Sequence, residues 1–144
     1  MSNAEILNLL PHRPPFLFID EINSVEDKKL TASKKITGEE DFFKGHFPGN
    51  PVMPGVLLCE TIFQAGALLM AKTNLDTNLQ DATPVVTRIM GSKFKNIVRP
   101  GDLLNISVEL AEQMGHAYFM KGKIKVDNKL MVSCEFACAL ISQS

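Results

Sequence analysis

The chain of 144 residues has no tryptophan and one tyrosine, so its nine phenylalanines supply nearly all the aromatic surface. It also lacks an excess of either charge: 15 Lys and Arg stand against 16 Asp and Glu, for a net charge of -1. Phosphate backbones are bound through a clear positive surplus, so nucleic acid is excluded as the main partner. There are three cysteines, an odd number without metal-like spacing. Cys134 and Cys138, four apart in a strand-like stretch, are expected to face one way as small, reduced core hydrophobes. No cluster of metal ligands, phosphate-cradling glycine loop or dinucleotide fingerprint is present, so neither metal nor cofactor is expected. "MSNAEILNLLPHRPP" has no basic region followed by a long apolar one, so no secretory leader is expected and a cytoplasmic location follows. The longest apolar stretch, 55 to 71, is broken by Glu60 and Gln64 and is short for a membrane span. A buried helix fits it better.

What is present is enough for one core. With 45% hydrophobic and 22% charged residues, the chain reads as a single domain over 1–144. Ser2 and Glu5 have capping-box spacing, which predicts a short helix over about 3–9, stopped by the prolines of "LPHRPP". "FLFIDEINSVEDKKLTASKKI" predicts two strands joined near Glu26 to Lys28. "GEEDFFKGHFPGNPVMP" predicts loop, and "GVLLCETIFQAGALLMAK" a helix apolar on nearly every side, of the kind a domain wraps around. "TNLDTNLQDAT" is a polar connection. From Pro84 onward four strand-like segments follow, separated at Pro100-Gly101-Asp102, Gly115 and Asp127-Asn128. The fold class is therefore α+β: five or six mostly antiparallel strands curled around one long helix.

Three features in the middle of the chain can do chemistry. Glu60 lies one turn into the most apolar segment, where a carboxylate is costly unless partnered or protonated. Burial raises a carboxyl pKa and makes it a usable acid near neutrality. Gln64, four residues on, shares its helix face and can orient it. His46 sits in "GHFPGNPVMPG", which holds three of the nine glycines and three of the eight prolines. Pro48, Pro51 and Pro54 stiffen that loop, and a stiff loop suits a histidine whose ring must be aimed as a base. Gly55 then opens the helix with an uncovered backbone N–H, at the positive end of the dipole, where a developing oxyanion is favoured. A plain solvent-facing glutamate, a structural loop histidine and an ordinary helix start are the competing readings. Together the three would suit removal of a proton next to a carbonyl while a hydroxyl leaves.

"LPHRPPFLFID", "GHFPGNPVMPGVLLCETIFQAG", "KFKNIVRPGD" and "GKIKVDNKLMVSCEFACA" together resemble the beta-hydroxyacyl-[acyl-carrier-protein] dehydratases of bacterial fatty acid synthesis, over nearly the whole chain. The resemblance implies the hot-dog fold, an antiparallel sheet wrapped around one long central helix. It implies a hydro-lyase that dehydrates a (3R)-hydroxyacyl chain, carried on the phosphopantetheine of acyl carrier protein, to the trans-2-enoyl thioester. His46 matches the family's catalytic histidine, Glu60 its catalytic glutamate, and Gly55 the glycine whose N–H polarises the thioester carbonyl. In that family one site draws its histidine and glutamate from two protomers, so a homodimer is the minimum unit, and trimers of dimers are common. A related dehydratase/isomerase group carries Asp where this chain has Glu60. The chain departs from the family where Val85 and Val86 replace aromatics, Arg88 a small residue and Pro14 an aromatic, positions near the acyl tunnel and its gate.

Arg88, Lys93, Lys95 and Arg99 lie in a stretch, 84 to 100, with no acidic residue, and form a candidate docking surface for an acidic carrier protein. A solvated strand edge would look the same. Lys121, Lys123 and Lys125 read as a wet face, and His12 and Arg13 of "LPHRPP" as structural or rim residues. Three other functions stay open: a hot-dog thioesterase in which Glu60 activates water, a dehydratase of a specialised lipid or polyketide pathway, and a non-catalytic partner of acyl carrier protein.

Overall fold

Gly122 explains how the helix and sheet come so close. A Cβ built there would fall 2.2 Å from Cγ2 of Ile62, inside any van der Waals contact. At Gly66 it would fall 2.9 Å from the Met120 sulfur and 3.0 Å from the Phe136 ring. One glycine on the sheet and one on the helix thus let the two surfaces meet at a distance closed to any other residue.

The computed structural model describes residues 3–73 and 82–142. In chain order they form α1 (Asn3–Leu9), β1 (Glu21–Glu26), β2 (Lys29–Lys35), a 3₁₀ turn (Asp41–Lys44), α2 (Gly55–Thr73), β3 (Ala82–Phe94), β4 (Leu103–Met114), β5 (Ala117–Val126) and β6 (Lys129–Ser142). The six strands make one sheet in the order β1-β2-β4-β5-β6-β3, and every pairing is antiparallel. α2 lies across it. Leu58, Ile62, Ala65, Leu68 and Leu69 of α2 are almost wholly buried, with Ile106, Ile124, Val132 and Phe136 of the sheet. By length and composition α2 could cross a membrane, but 67% of its most apolar window is buried inside the fold. α1 caps the far end, where Lys72 donates to Glu5.

The hairpins follow from turn chemistry. Asp127 and Asn128 have φ of 49° and 67°, the left-handed pair of a type I′ turn that matches strand twist, and Val126 pairs with Lys129 across it. Two expectations need correction. The first strand begins at Glu21, not at Phe16. The Phe18 N–H and the Phe16 carbonyl are both taken by the Gln64 side chain, so they cannot serve a strand ladder. The segment expected to be loop contains the 3₁₀ turn Asp41–Lys44, which sinks Phe43 into the core. The expected cap Ser2 and most of the connection after α2 lie outside the described residues.

Among the described residues β3 is an edge strand, hydrogen-bonded to β6, with two register shifts along the pairing. Val86, Ile89, Met90 and Phe94 on it are exposed. A long edge carrying apolar side chains is a template for another strand.

Candidate active site

α2 sets Glu60 one turn above its start, and Gln64 one turn further on. Gln64 is completely buried and spends its amide three ways. Its oxygen accepts from Phe18 N at 2.8 Å, while its Nε2 donates to Phe16 O at 3.0 Å and to Glu60 Oε2 at 3.1 Å. One side chain therefore ties the proline-rich segment to the helix and holds the carboxyl. Burial pushes the Glu60 pKa above its ordinary value of 4.5, and the Gln64 hydrogen bond opposes this only in part.

Glu60 opens on a cavity of about 220 Å³ lined by His12, Phe63, Ala67, Pro84, Val85, Val86 and Cys138. Val85 and Val86, singled out in the sequence, are thus walls of this cavity. Cys138 does not compete as a nucleophile: burial, with Glu60 nearby, pushes its thiol up to about 12. Cys134 and Cys138 are both buried, and Cys134 sits 3.2 Å from Ser92 Oγ, whose other sulfur neighbour is Cys59 at 3.7 Å. Cys59 therefore faces away from the cavity. Among the described residues no group of His, Cys, Asp and Glu could hold a metal ion.

The loop before α2 is a small closed ring. Asn50 N donates to Phe47 O at 2.9 Å across Pro48-Gly49, with Gly49 at φ 76°, the arrangement of a type II turn. Val52 N donates to His46 O at 3.0 Å, and Met53 N reaches across to Val98 O at 2.9 Å. Within the ring His46 Nδ1 lies 2.8 Å from the Val52 carbonyl. A carbonyl can only accept, so Nδ1 carries the proton and Nε2 of the neutral ring is left as the acceptor. The ring stacks on Phe47 with centroids 4.0 Å apart. Gly55 is the first residue of α2, so its N–H has no partner within the helix. A Cβ at this position would come 2.8 Å from the Phe94 ring.

Glu60 and Gln64 are thus brought together. His46 and Gly55 are not among the residues lining the Glu60 cavity. Arg88, Lys93, Lys95 and Arg99 are exposed, and Arg99 donates to Asn50 Oδ1 at 2.8 Å, bracing the same loop. The residue that sequence reasoning kept outside the site is His12, whose Nε2 lies 3.6 Å from Glu60 Oε2. It is 48 positions away, and no spacing rule connects the two.

Comparison with known proteins agrees with this architecture. The model of the FabA-like domain matches residues 10–135. A 3-hydroxyacyl-[acyl-carrier-protein] dehydratase FabZ of Myxococcus xanthus is 40% identical over 145 residues, covering 99% of this chain and 94% of that one. The protein of the same name from Caulobacter sp. is 40% identical and covers 96% and 85%. Among solved structures, the dehydratase heterocomplex ApeI:P of Xenorhabdus doucetiae superposes with a TM-score of 0.78 at 14% identity, covering 96% of this chain and 91% of that one. The E. coli PaaI protein superposes at 0.66 with 15% identity, covering 83% and 81%. These two share the hot-dog fold with the present chain. A one-helix, six-stranded wrap, the matched domain and 40% identity along almost the full length lead to one conclusion: the chain belongs to the FabA-like family, among its FabZ-type 3-hydroxyacyl-[acyl-carrier-protein] dehydratases.

Proposed function

We propose that the chain dehydrates a (3R)-hydroxyacyl thioester on acyl carrier protein to the trans-2-enoyl thioester in fatty acid biosynthesis, as a cytoplasmic enzyme without a cofactor. The observation that carries the chemistry is the different setting of two groups. The Val52 carbonyl leaves His46 Nε2 bare, whereas burial favours the protonated Glu60 carboxyl. His46 Nε2 takes the C2 proton, the C2–H electron pair becomes the new double bond, and Glu60 gives its proton to the 3-hydroxyl, which leaves as water. The Gly55 N–H, at the start of α2, stabilises the negative charge that develops on the thioester oxygen.

The working unit in this reading is a homodimer, with the trimer of dimers as its larger form. Two observations support it: His46 is absent from the Glu60 cavity of its own chain, and β3, at the edge of the sheet formed by the described residues, exposes Val86, Ile89, Met90 and Phe94 near the cavity walls. A second copy across that edge brings in the partner's His46. Arg88, Lys93, Lys95 and Arg99 offer the acidic carrier protein a basic surface.

The assay is enoyl-thioester absorbance from a 3-hydroxyacyl thioester. His46→Ala and Glu60→Gln each abolish it by orders of magnitude, and unchanged turnover in either overturns the assignment. Release of free thiol instead of enoyl product would indicate the thioesterase. Refolding His46→Ala chains together with Glu60→Ala chains restores part of the activity, because some mixed dimers hold one intact site. No recovery in proven mixed dimers places both groups in one protomer.

A further inference from the structure

His12 shares the Glu60 cavity and has no role in the chemistry above. The backbone around it is well pinned: the Arg13 guanidinium donates to the Leu10 and His12 carbonyls at 2.8 and 2.7 Å, and Phe16 N donates to Arg13 O at 2.8 Å. Its Nε2 lies 3.6 Å from Glu60 Oε2, and its Nδ1 is buried with no hydrogen-bond partner. The carboxyl oxygen it approaches is the one Gln64 already holds. Among the described residues Oε1 accepts no hydrogen bond, so it is the oxygen left for the substrate.

We propose that His12 is a positioning residue for Glu60: its Nε2–H faces Oε2, keeps Oε1 turned to the reacting hydroxyl, and stabilises the carboxylate that remains once the proton has been given. This rests on the dehydratase reading of Glu60. The tautomer follows from hydrogen-bond accounting. A neutral imidazole has one N–H, and placing it on Nδ1 would bury an unpaired donor, costlier than burying an unpaired acceptor. Burial, with Arg13 beside it, lowers the His12 pKa, which favours the neutral ring. A separation of 3.6 Å is longer than a hydrogen bond, and it is expected to close when Oε2 becomes charged, as such contacts tighten during reaction. Among the described residues, the titratable groups around the carboxyl are His12 from the turn after α1 and Cys138 from β6, and Arg13 acts on His12. β3 contributes to the cavity only Pro84, Val85 and Val86, and α2 adds Phe63 and Ala67, with the neutral Gln64 bonded to the carboxyl.

The test uses the full-length protein with His12→Leu, which removes the donor, and His12→Gln, which keeps an N–H at similar reach. Two quantities are read: steady-state kinetics with a 3-hydroxyacyl thioester, and the Glu60 carboxyl titration by carbon NMR, which does not depend on turnover. In His12→Leu the Glu60 carboxyl holds its proton several-fold more tightly than in wild type. In the same variant kcat falls about ten-fold, less than for a donor to the reacting atoms because His12 acts through Glu60, with KM within about two-fold. His12→Gln restores most of both. If His12→Leu folds and leaves the titration and kcat unchanged, the proposal is overturned. If it does not fold, His12→Gln decides the matter: wild-type titration and kcat support the donor role, and a titration shifted as far as expected for Leu overturns it. A wild-type protein without dehydratase activity, but with a Glu60 titration that responds to His12, would sink the functional reading and leave the positioning role standing.

Discussion

Gln64 Nε2 lies 3.1 Å from Glu60 Oε2, and the same nitrogen is 3.0 Å from the Phe16 carbonyl. Orientation of the carboxyl and attachment of the N-terminal segment are thus one interaction. Replacing Gln64 by Leu leaves the buried Phe18 N–H and the part-buried Phe16 carbonyl without their partner. The expected loss is about 1 to 3 kcal/mol, that of one buried unsatisfied group, measured by urea unfolding. Gln64→Glu is expected to lower turnover as well, because a second carboxyl would face Glu60 in place of an amide donor.

Glu60 is expected to cost stability. Its folded pKa is raised above the ordinary value, so over that window the native state holds a proton that the unfolded chain has released. Stability therefore falls as pH rises from the unfolded value through the folded one, and the loss is then complete. Glu60→Gln removes this term. The variant is expected to match wild type at about pH 4 and to exceed it at about pH 8, by urea midpoints compared at each pH. Equal differences at both pH values would contradict the burial of a neutral carboxyl.

Rigidity of the His46 loop is expected to matter more to rate than to stability. Pro48 sits inside the Phe47–Asn50 turn and Pro51 directly follows it, and that turn precedes Val52, which His46 faces. The double change Pro48→Ala with Pro51→Ala should lower kcat by about ten-fold or more, because aim is lost. Its stability should drop by about 1 kcal/mol, the usual entropic effect of losing prolines. Comparing kcat with the denaturation midpoint separates the two.

Gly122→Ala is expected to act in the opposite sense, on stability before chemistry. The added methyl would meet Ile62, which is fully buried and cannot swing away. Destabilisation of about 1–3 kcal/mol is expected from overpacking. Combining it with Ile62→Val, which trims the clashing side chain, should recover part of it, a coupling that a double-mutant cycle reads directly.

Much of this was legible one segment at a time. The all-round apolar run over 55–71 announced the helix, Asp127-Asn128 announced its hairpin, and Glu60 stood out because a carboxylate is rare in such company. Phe16 to Asp20 misled because a short apolar run looks like a strand wherever it occurs. Only the position of Gln64 shows that their backbone groups are already taken. Gly122 sits in an alternating strand, and nothing in its neighbours reveals that Ile62 presses on it from 60 residues away.

The sequence by itself determined the local matters: which stretches are helix or strand, where the chain turns, which loop is stiff, and which family the motifs resemble. These depend on contacts within a few residues, and their signals lie side by side in the chain. Tertiary structure alone decided that His12 stands beside Glu60, that the Val52 carbonyl selects the His46 tautomer, and that His46 does not line the Glu60 cavity of its own chain. Each depends on side-chain directions and on distances of a few ångströms, between groups that only packing of the helix against the sheet and closure of the His46 loop can set.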